Sequence, residues 1–179
     1  DIAMDNKTIF IGCGAAHPKL CGKVKADYDR YKYWFRVTPI NSRYLVKVDF
    51  LLLGMVAKMI ATELKIPKLK VAIVAEKAVW CDPIVGIAEK NLPKMGMEVV
   101  GVWRPSPVAT DVTAELSAIQ SSGAHIVFTS FSSSVGITFA KQWGELKVPA
   151  AAVGINVEAQ KDGFWAATSG KGNYTLTIN

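Results

Sequence analysis

The sequence predicts an α/β protein organised around an open, doubly wound parallel sheet, and two features of the stretch from Lys70 to Val153 carry that prediction. Lys70-Val-Ala-Ile-Val-Ala75, Met97-Glu-Val-Val-Gly-Val-Trp103 and His125-Ile-Val-Phe-Thr-Ser-Phe131 are short runs rich in β-branched and apolar residues. They are near-continuously apolar rather than alternating, as expected of strands covered on both faces. Each is followed by a segment long enough for the crossover helix that parallel neighbours require. A fourth run, Ala150-Ala-Ala-Val-Gly154, closes the series. Right-handed crossovers then place helices on both faces of one sheet.

Taken in order, Lys7-Thr-Ile-Phe-Ile-Gly12 reads as a strand that enters a loop at Cys13 to Pro18, and the polar stretch on to Arg30 reads as loop. Tyr31 to Val37 is aromatic and partly alternating, which suits a strand, with Pro39 ending it. Asn41 or Ser42 is placed to cap a helix reaching about Leu64, with Lys65 in its last turn and Pro67 beyond. Its apolar positions cover most of the circumference, so it is expected to be well buried. Ile66 to Leu69 is the expected hinge or crossover. Ile84, Ile87, Ala88 and Leu92 then recur at helical spacing, and Pro93 ends that helix early. Asp111 is placed to cap a helix with Val112, Leu116 and Ile119 inward and Gly123 at its end. Ser132 to Ser134 opens the last long helix, which runs to about Leu146. Gly163 to Gly170 is expected to form a short strand and turn, and Tyr174 to Ile178 alternates as a further strand.

The chain has 179 residues, 50% of them hydrophobic and 20% charged, which suits a globular core and excludes a disordered composition. The net charge of +6 is uneven: residues 1–70 hold 13 Lys/Arg against 6 Asp/Glu, and residues 71–179 hold 8 against 9. The cations are dispersed, with no basic run, so a solvated surface is expected and nucleic acid is not. The most apolar helix candidate, Leu45 to Leu64, carries Lys47, Asp49 and Lys58, which argues against a membrane span. Any targeting signal is expected to lie outside this chain. Of the three cysteines, Cys13 and Cys21 are a conceivable pair that would leave Cys81 free, and spacing alone does not decide it.

Ligands of a doubly wound sheet sit at the carboxyl ends of its strands, at the switch point. That selects Ala75 to Cys81, the loop after Phe131, and the residues after Gly154. Trp80 offers an indole to stack on a ligand, against the plainer reading of a packed side chain. Ser132, Ser133 and Ser134 place hydroxyls and backbone N–H groups at a helix start, which favours a carboxylate or phosphate; an ordinary capping serine is the plainer reading. Gly12-Cys-Gly14 lacks the third glycine of a dinucleotide fingerprint, and Ser169-Gly-Lys-Gly172 lacks the rest of a P-loop. Cys13, His17 and Cys21 have no fourth ligand in view, so no metal is expected. His125 reads as a core-edge residue. There is no Gly-x-Ser-x-Gly elbow, and Glu76 stands almost alone among the strand ends, so no catalytic residue, no cofactor and no enzyme are expected.

Lys70-Val-Ala-Ile-Val-Ala-Glu76, Trp80, Met95-Gly-Met-Glu-Val-Val100, Thr110-Asp111 and Ala124-His-Ile-Val-Phe128 together resemble the type I periplasmic solute-binding proteins of branched-chain amino acid ABC transporters. Ile9-Phe-Ile-Gly-Cys-Gly-Ala-Ala-His-Pro-Lys-Leu20 and Tyr33-Trp-Phe-Arg-Val-Thr-Pro39 match the same family's first lobe, so the resemblance spans essentially the whole chain. It rests on many weak positions rather than one diagnostic motif. The resemblance implies that residues 1–67 are the C-terminal part of lobe 1, 68–155 the bulk of lobe 2, and 156–179 the end of lobe 2 and the start of a return crossover. Family members are roughly twice as long, so the chain is expected to be a fragment.

The same resemblance implies a ligand loop at Gly14, Ala15 and Ala16, with Ala16 standing where a threonine hydroxyl is usual. It implies an aromatic cover at Trp80 and a smaller residue, Ser132 with Ser133, at a second aromatic position. Asn156 stands where an acidic residue pairs with the ligand ammonium, and Glu158 lies two residues on. An unpaired ammonium in a closed cleft is costly. An uncharged or anionic ligand, such as a carboxylate or an amide, is therefore expected over an ordinary α-amino acid. The implied function is extracytoplasmic capture of a small ligand and its delivery to a membrane ABC permease, with the full-length protein periplasmic or extracellular and lipid-anchored. The rival readings are a ligand-sensing domain of the same fold in a receptor or regulator, and a Rossmann-like or flavodoxin-like enzyme domain.

Overall fold

The computed structural model describes residues 1–38 and 40–178, so the strand end expected at Pro39 lies outside the described residues. A single turn of helix, α1 (Ile2–Asp5), leads into β1 (Phe10–Cys13). After Pro18 the chain does not stay in loop as expected but forms α2 (Lys19–Ala26) and α3 (Tyr28–Tyr31) before β2 (Trp34–Thr38). Pro18 supplies the reason: its φ of −65° already suits a helix entry. Asp27 then caps α3 by accepting the Arg30 N–H, and Asp1 and Asp5 of the α1 turn pair with Lys23 and Arg30. The polar composition marks a solvent-facing helical layer rather than a loop. β1 and β2 run parallel, Phe10 opposite Trp34. A Cβ on Gly12 would come within 2.6 Å of the Trp34 indole, so a larger residue there would have to displace that ring.

Helix α4 (Ser42–Glu63) starts where expected, with the Asn41 side chain accepting the Arg43 N–H. The Ser42 amide and hydroxyl both donate to the Ala16 carbonyl, which ties the loop after β1 to the start of α4. Burial of α4 differs from the expectation. Only the stripe Ser42, Val46, Asp49, Leu53 and Ala57 is buried, whereas Tyr44, Leu51, Met55 and Met59 on the opposite side are exposed. The helix lies on one face of one sheet and has no second described element against its back. Apolar residues around its circumference therefore do not translate into burial.

From Lys70 onward the apolar runs become β3 (Lys70–Ala75), α5 (Asp82–Asn91), β4 (Glu98–Trp103), α6 (Thr113–Ser121), β5 (Ile126–Phe131), α7 (Val135–Glu145) and β6 (Ala151–Asn156). Pro93 ends α5 in a short 3-10 turn, and Gly96 leaves it with a φ of 82°. Asp111 accepts the Thr113 N–H at the start of α6. Gly163 to Gly170 forms a helical turn, α8 (Phe164–Ala167), instead of the expected strand; Phe164 is buried, and Gly170 reaches back to the Trp165 carbonyl in a left-handed exit. β7 (Thr175–Thr177) adds the last strand.

The five strands are all parallel, in the order β4-β3-β5-β6-β7. Successive residues of β3 face opposite layers: Val71, Ile73 and Ala75 join a core with α4 and α5, and Ala72 and Val74 join a core with Leu116, Phe139 and Trp143. β3 and β5 are buried along almost their whole length, as strands covered on both sides must be. Gly154 in β6 has a φ of 148° and lies against the Thr129 backbone, leaving no room for a side chain. The chain winds outward from β3 to β4 in one direction and from β5 to β7 in the other. The switch point therefore falls between β3 and β5.

Asp49 is the anomaly of the core. It is fully buried on the inner stripe of α4, and among the described residues neither carboxyl oxygen has a hydrogen-bond partner. Desolvation pushes its carboxyl up to about 7, whereas an unfolded chain titrates it at about 3.9. Between those values the folded chain holds a proton that the unfolded chain has released, so stability falls as pH rises through that window. Thermal unfolding of wild type and Asp49→Asn at about pH 4 and about pH 8 checks this. The wild-type melting temperature should drop several degrees more across the interval than that of the variant; equal slopes would contradict it.

Candidate functional site

The carboxyl ends of β3, β5 and β6 bring four chain segments to one edge of the sheet. Parallel register sets Ala75 opposite Ser130 and Phe131 opposite Asn156. Glu76, the first residue after β3, therefore lies across from the residues that lead into α7. Its side chain is fully buried. Its carboxylate accepts the Ser132 N–H at 3.0 Å, the Ser133 N–H at 3.0 Å and the Trp80 Nε1–H at 2.9 Å. The Ser132 hydroxyl donates to the same oxygen as Trp80. A carboxylate offers about four lone-pair sites, and these donors use all of them. The Ser132 and Ser133 amides, in the turn that leads into α7, are thus satisfied by a carboxylate from the neighbouring strand end, while the first amides of α7 itself, those of Val135, Gly136 and Ile137, donate to the Pro107, Ser133 and Ser134 carbonyls.

A second side chain fixes the same loop. Arg104, just after β4, donates to the Ala75 and Glu76 carbonyls at 3.0 Å and to Asp82 Oδ1 at 2.8 Å. The β3–α5 loop is thus held from β4 on one side and from α7 on the other. Cys81, at the foot of α5, is buried with its Sγ 3.6 Å from the Ser130 carbonyl. Burial first, and the nearby Glu76 carboxylate second, push its thiol up, so it stays protonated and is no nucleophile.

The candidate residues occupy different settings. Trp80 is half-buried, with its N–H committed to Glu76. Ser132 is exposed and Ser133 half-buried, and both amides serve Glu76 rather than standing open. Asn156 is buried; its Nδ2 donates to the Gly136 carbonyl in the first turn of α7, and its Oδ1 has no partner among the described residues. Gly14 and Ala15 are exposed, while Ala16 is buried beneath Ser42. The structure brings Trp80, Ser132 and Ser133 together around one carboxylate and places Asn156 on the neighbouring strand end. Gly14 to Ala16 belong to the other sheet. Cys13, Cys21 and Cys81 are all free thiols, and among the described residues no group of His, Cys, Asp or Glu is arranged to hold a metal. His125 is a strand-entry residue whose Nδ1 accepts the Lys70 N–H.

Glu76 and Arg104 were not among the expected site residues. The available signal was position: an acidic residue immediately after the first strand of a doubly wound sheet lies at the switch point, next to the amino end of the helix after β5. Two grooves, of about 750 Å³ beside α1, β1 and β2 and about 730 Å³ between α4, α7 and β7, lie away from these strand ends.

No protein-family model matches the chain, and no curated protein matches it. Solved structures do. A protein assigned to branched-chain amino acid ABC transport in Silicibacter pomeroyi superimposes with a TM-score of 0.70 at 18% identity, over 96% of this chain and 42% of that one. The leucine-, isoleucine-, valine-, threonine- and alanine-binding protein of Brucella ovis, in its closed conformation, gives 0.62 at 17% identity over 91% and 40%. An R. palustris ABC-transporter solute-binding protein in complex with benzoate gives 0.63 at 16% identity over 96% and 49%. The chain has the fold of these solute-binding proteins and spans less than half of their length, in agreement with the resemblance read from the sequence.

The network around Glu76 predicts unequal serines. Ser132→Ala removes a hydroxyl bound to a buried carboxylate and is expected to cost about 1–2 kcal/mol in urea unfolding. Ser134→Ala, whose exposed hydroxyl lies 3.5 Å from the Pro107 carbonyl, should stay within about 0.5 kcal/mol of wild type. Equal costs would show that the Ser132 hydroxyl is not held by Glu76.

Proposed function

We propose that this chain is part of an extracytoplasmic solute-binding component of an ABC transporter, which captures a small ligand between two lobes and presents it to a membrane permease. The observation that carries the proposal is the fold likeness, which runs through both sheets over 96% of the chain. In this reading residues 1–67 belong to one lobe, 68–155 to the other, and 156–179 close the second lobe and begin the return. Ligand-induced closure is a hinge motion about Ile66 to Leu69. The full-length protein is periplasmic or extracellular and lipid-anchored.

The ligand class follows from the relatives and from the residues here. The Brucella protein is named for amino acids, and the R. palustris protein holds benzoate. Gly14, Ala15 and Ala16 supply backbone groups, Trp80 a half-buried indole, and Ser132 and Ser133 an exposed rim, while Asn156 is neutral. An amino acid or a related carboxylate or amide matches that inventory. The flavodoxin-like alternative shares the strand order and would seat a flavin phosphate near the β3/β5 switch point. Glu76 argues against it, because its carboxylate occupies the amides that a phosphate would need and repels a second anion.

Thermal-shift screening of the full-length protein tests this reading. The panel is aliphatic amino acids, short carboxylic acids, amides and benzoate. Ligand at a hundred times Kd stabilises the folded state by about 2.7 kcal/mol, which raises the melting temperature measurably. A saturable shift with at least one class is the expected outcome. A flat panel, or flavin absorbance on the purified protein, would contradict it.

A further inference from the structure

Glu76 is a buried carboxylate that is not itself among the proposed ligand contacts, although it binds three of them. Its carboxylate lies against the turn just before α7, a helix of 11 residues, where the positive end of the helix dipole and the Ser132 and Ser133 N–H groups favour an anion. Both of its oxygens are taken up by Ser132, Ser133 and Trp80. Arg104 holds the backbone of the same residue. The neighbouring polar atom is of the same kind: Asn156 Oδ1, on a side chain only 2% exposed, is an acceptor without a donor and abuts Gly136 in the first turn of α7.

We infer that Glu76 is the specificity-determining residue of this half of the cleft. It acts as an internal anion that fills a carboxylate-binding site, so no acidic group of a ligand is held at α7. The inference rests on the reading of these strand ends as one wall of a ligand cleft. The wall then offers no anion site, and the end of the ligand facing α7 carries no acidic group. Shortening Glu76 opens the site it fills. Glu76→Ala leaves two backbone N–H groups, a serine hydroxyl and an indole N–H around a space the size of a small carboxylate.

The test is thermal unfolding of wild type, Glu76→Ala and Glu76→Gln in sodium acetate and in sodium chloride of equal ionic strength. In chloride, Glu76→Ala should melt well below wild type. Acetate should restore it in a saturable manner by roughly 5 °C, while wild type responds alike to both salts. Glu76→Gln fills the space and should gain nothing from acetate. Equal behaviour of Glu76→Ala in the two salts overturns the inference. Should Glu76→Ala remain unfolded in both, Glu76→Gln decides: it is expected to melt several degrees below wild type, and equal stability overturns the inference. The ligand screen on wild type fails separately. A flat screen with acetate rescue intact would remove the transport reading and leave the internal anion standing.

Discussion

A buried carboxylate must be surrounded by donors or it costs several kcal/mol, and the geometry at the sheet edge follows from that constraint at Glu76. Its two oxygens draw the start of α7 and the Trp80 indole onto the end of β3. Arg104 then closes the arrangement from β4 by binding the carbonyls beside the carboxylate. Three strand ends are thus joined by side chains at the point where the winding direction reverses. In doubly wound sheets that place is ordinarily a crevice for a ligand; here a residue of the chain itself occupies its most anion-attracting part.

This bears on what a binding protein built on the fold recognises. A helix amino end already neutralised by an internal carboxylate contributes little attraction for a ligand carboxylate, and a carboxylate whose lone pairs are all taken has no hydrogen-bond acceptor left for an ammonium. What is left on this wall is shape and the half-buried face of Trp80. On the other sheet, the loop after β1 is tied to the start of α4 by the Ser42 bonds to the Ala16 carbonyl.

The sheet was legible in the sequence because its strands are apolar on both sides and need no tertiary information to be recognised. Every run from Lys70 to Gly154 became a strand at nearly its expected place, and Pro93, Gly96 and Gly123 punctuated the helices between them. The misread segments have separate causes. Lys19 to Tyr31 is polar because its helices face solvent and are held by caps and surface ion pairs, which leave no hydrophobic period to read. α4 is apolar all round, yet burial depends on how many layers cover a helix, and one sheet covers only one stripe. Gly163 to Gly170 is too short for any period to declare itself. Among the candidate site residues, strand-end position selected Trp80 and the serines. Their mutual partner Glu76 was passed over because pairing across about 56 residues of chain is a property of register, and register is not written in local composition.

The site depends on the carboxylate of Glu76 holding the Ser132 and Ser133 amides before α7 in solution. Amide hydrogen exchange of Ser132 and Ser133, followed by NMR on the wild-type chain, reads this directly. Strong protection, comparable with that of neighbouring amides in β5 although Ser132 lies at the exposed rim, is the predicted result. Exchange at the rate of an open loop would mean that these amides are free, and that the amino end of α7 is available to a ligand after all.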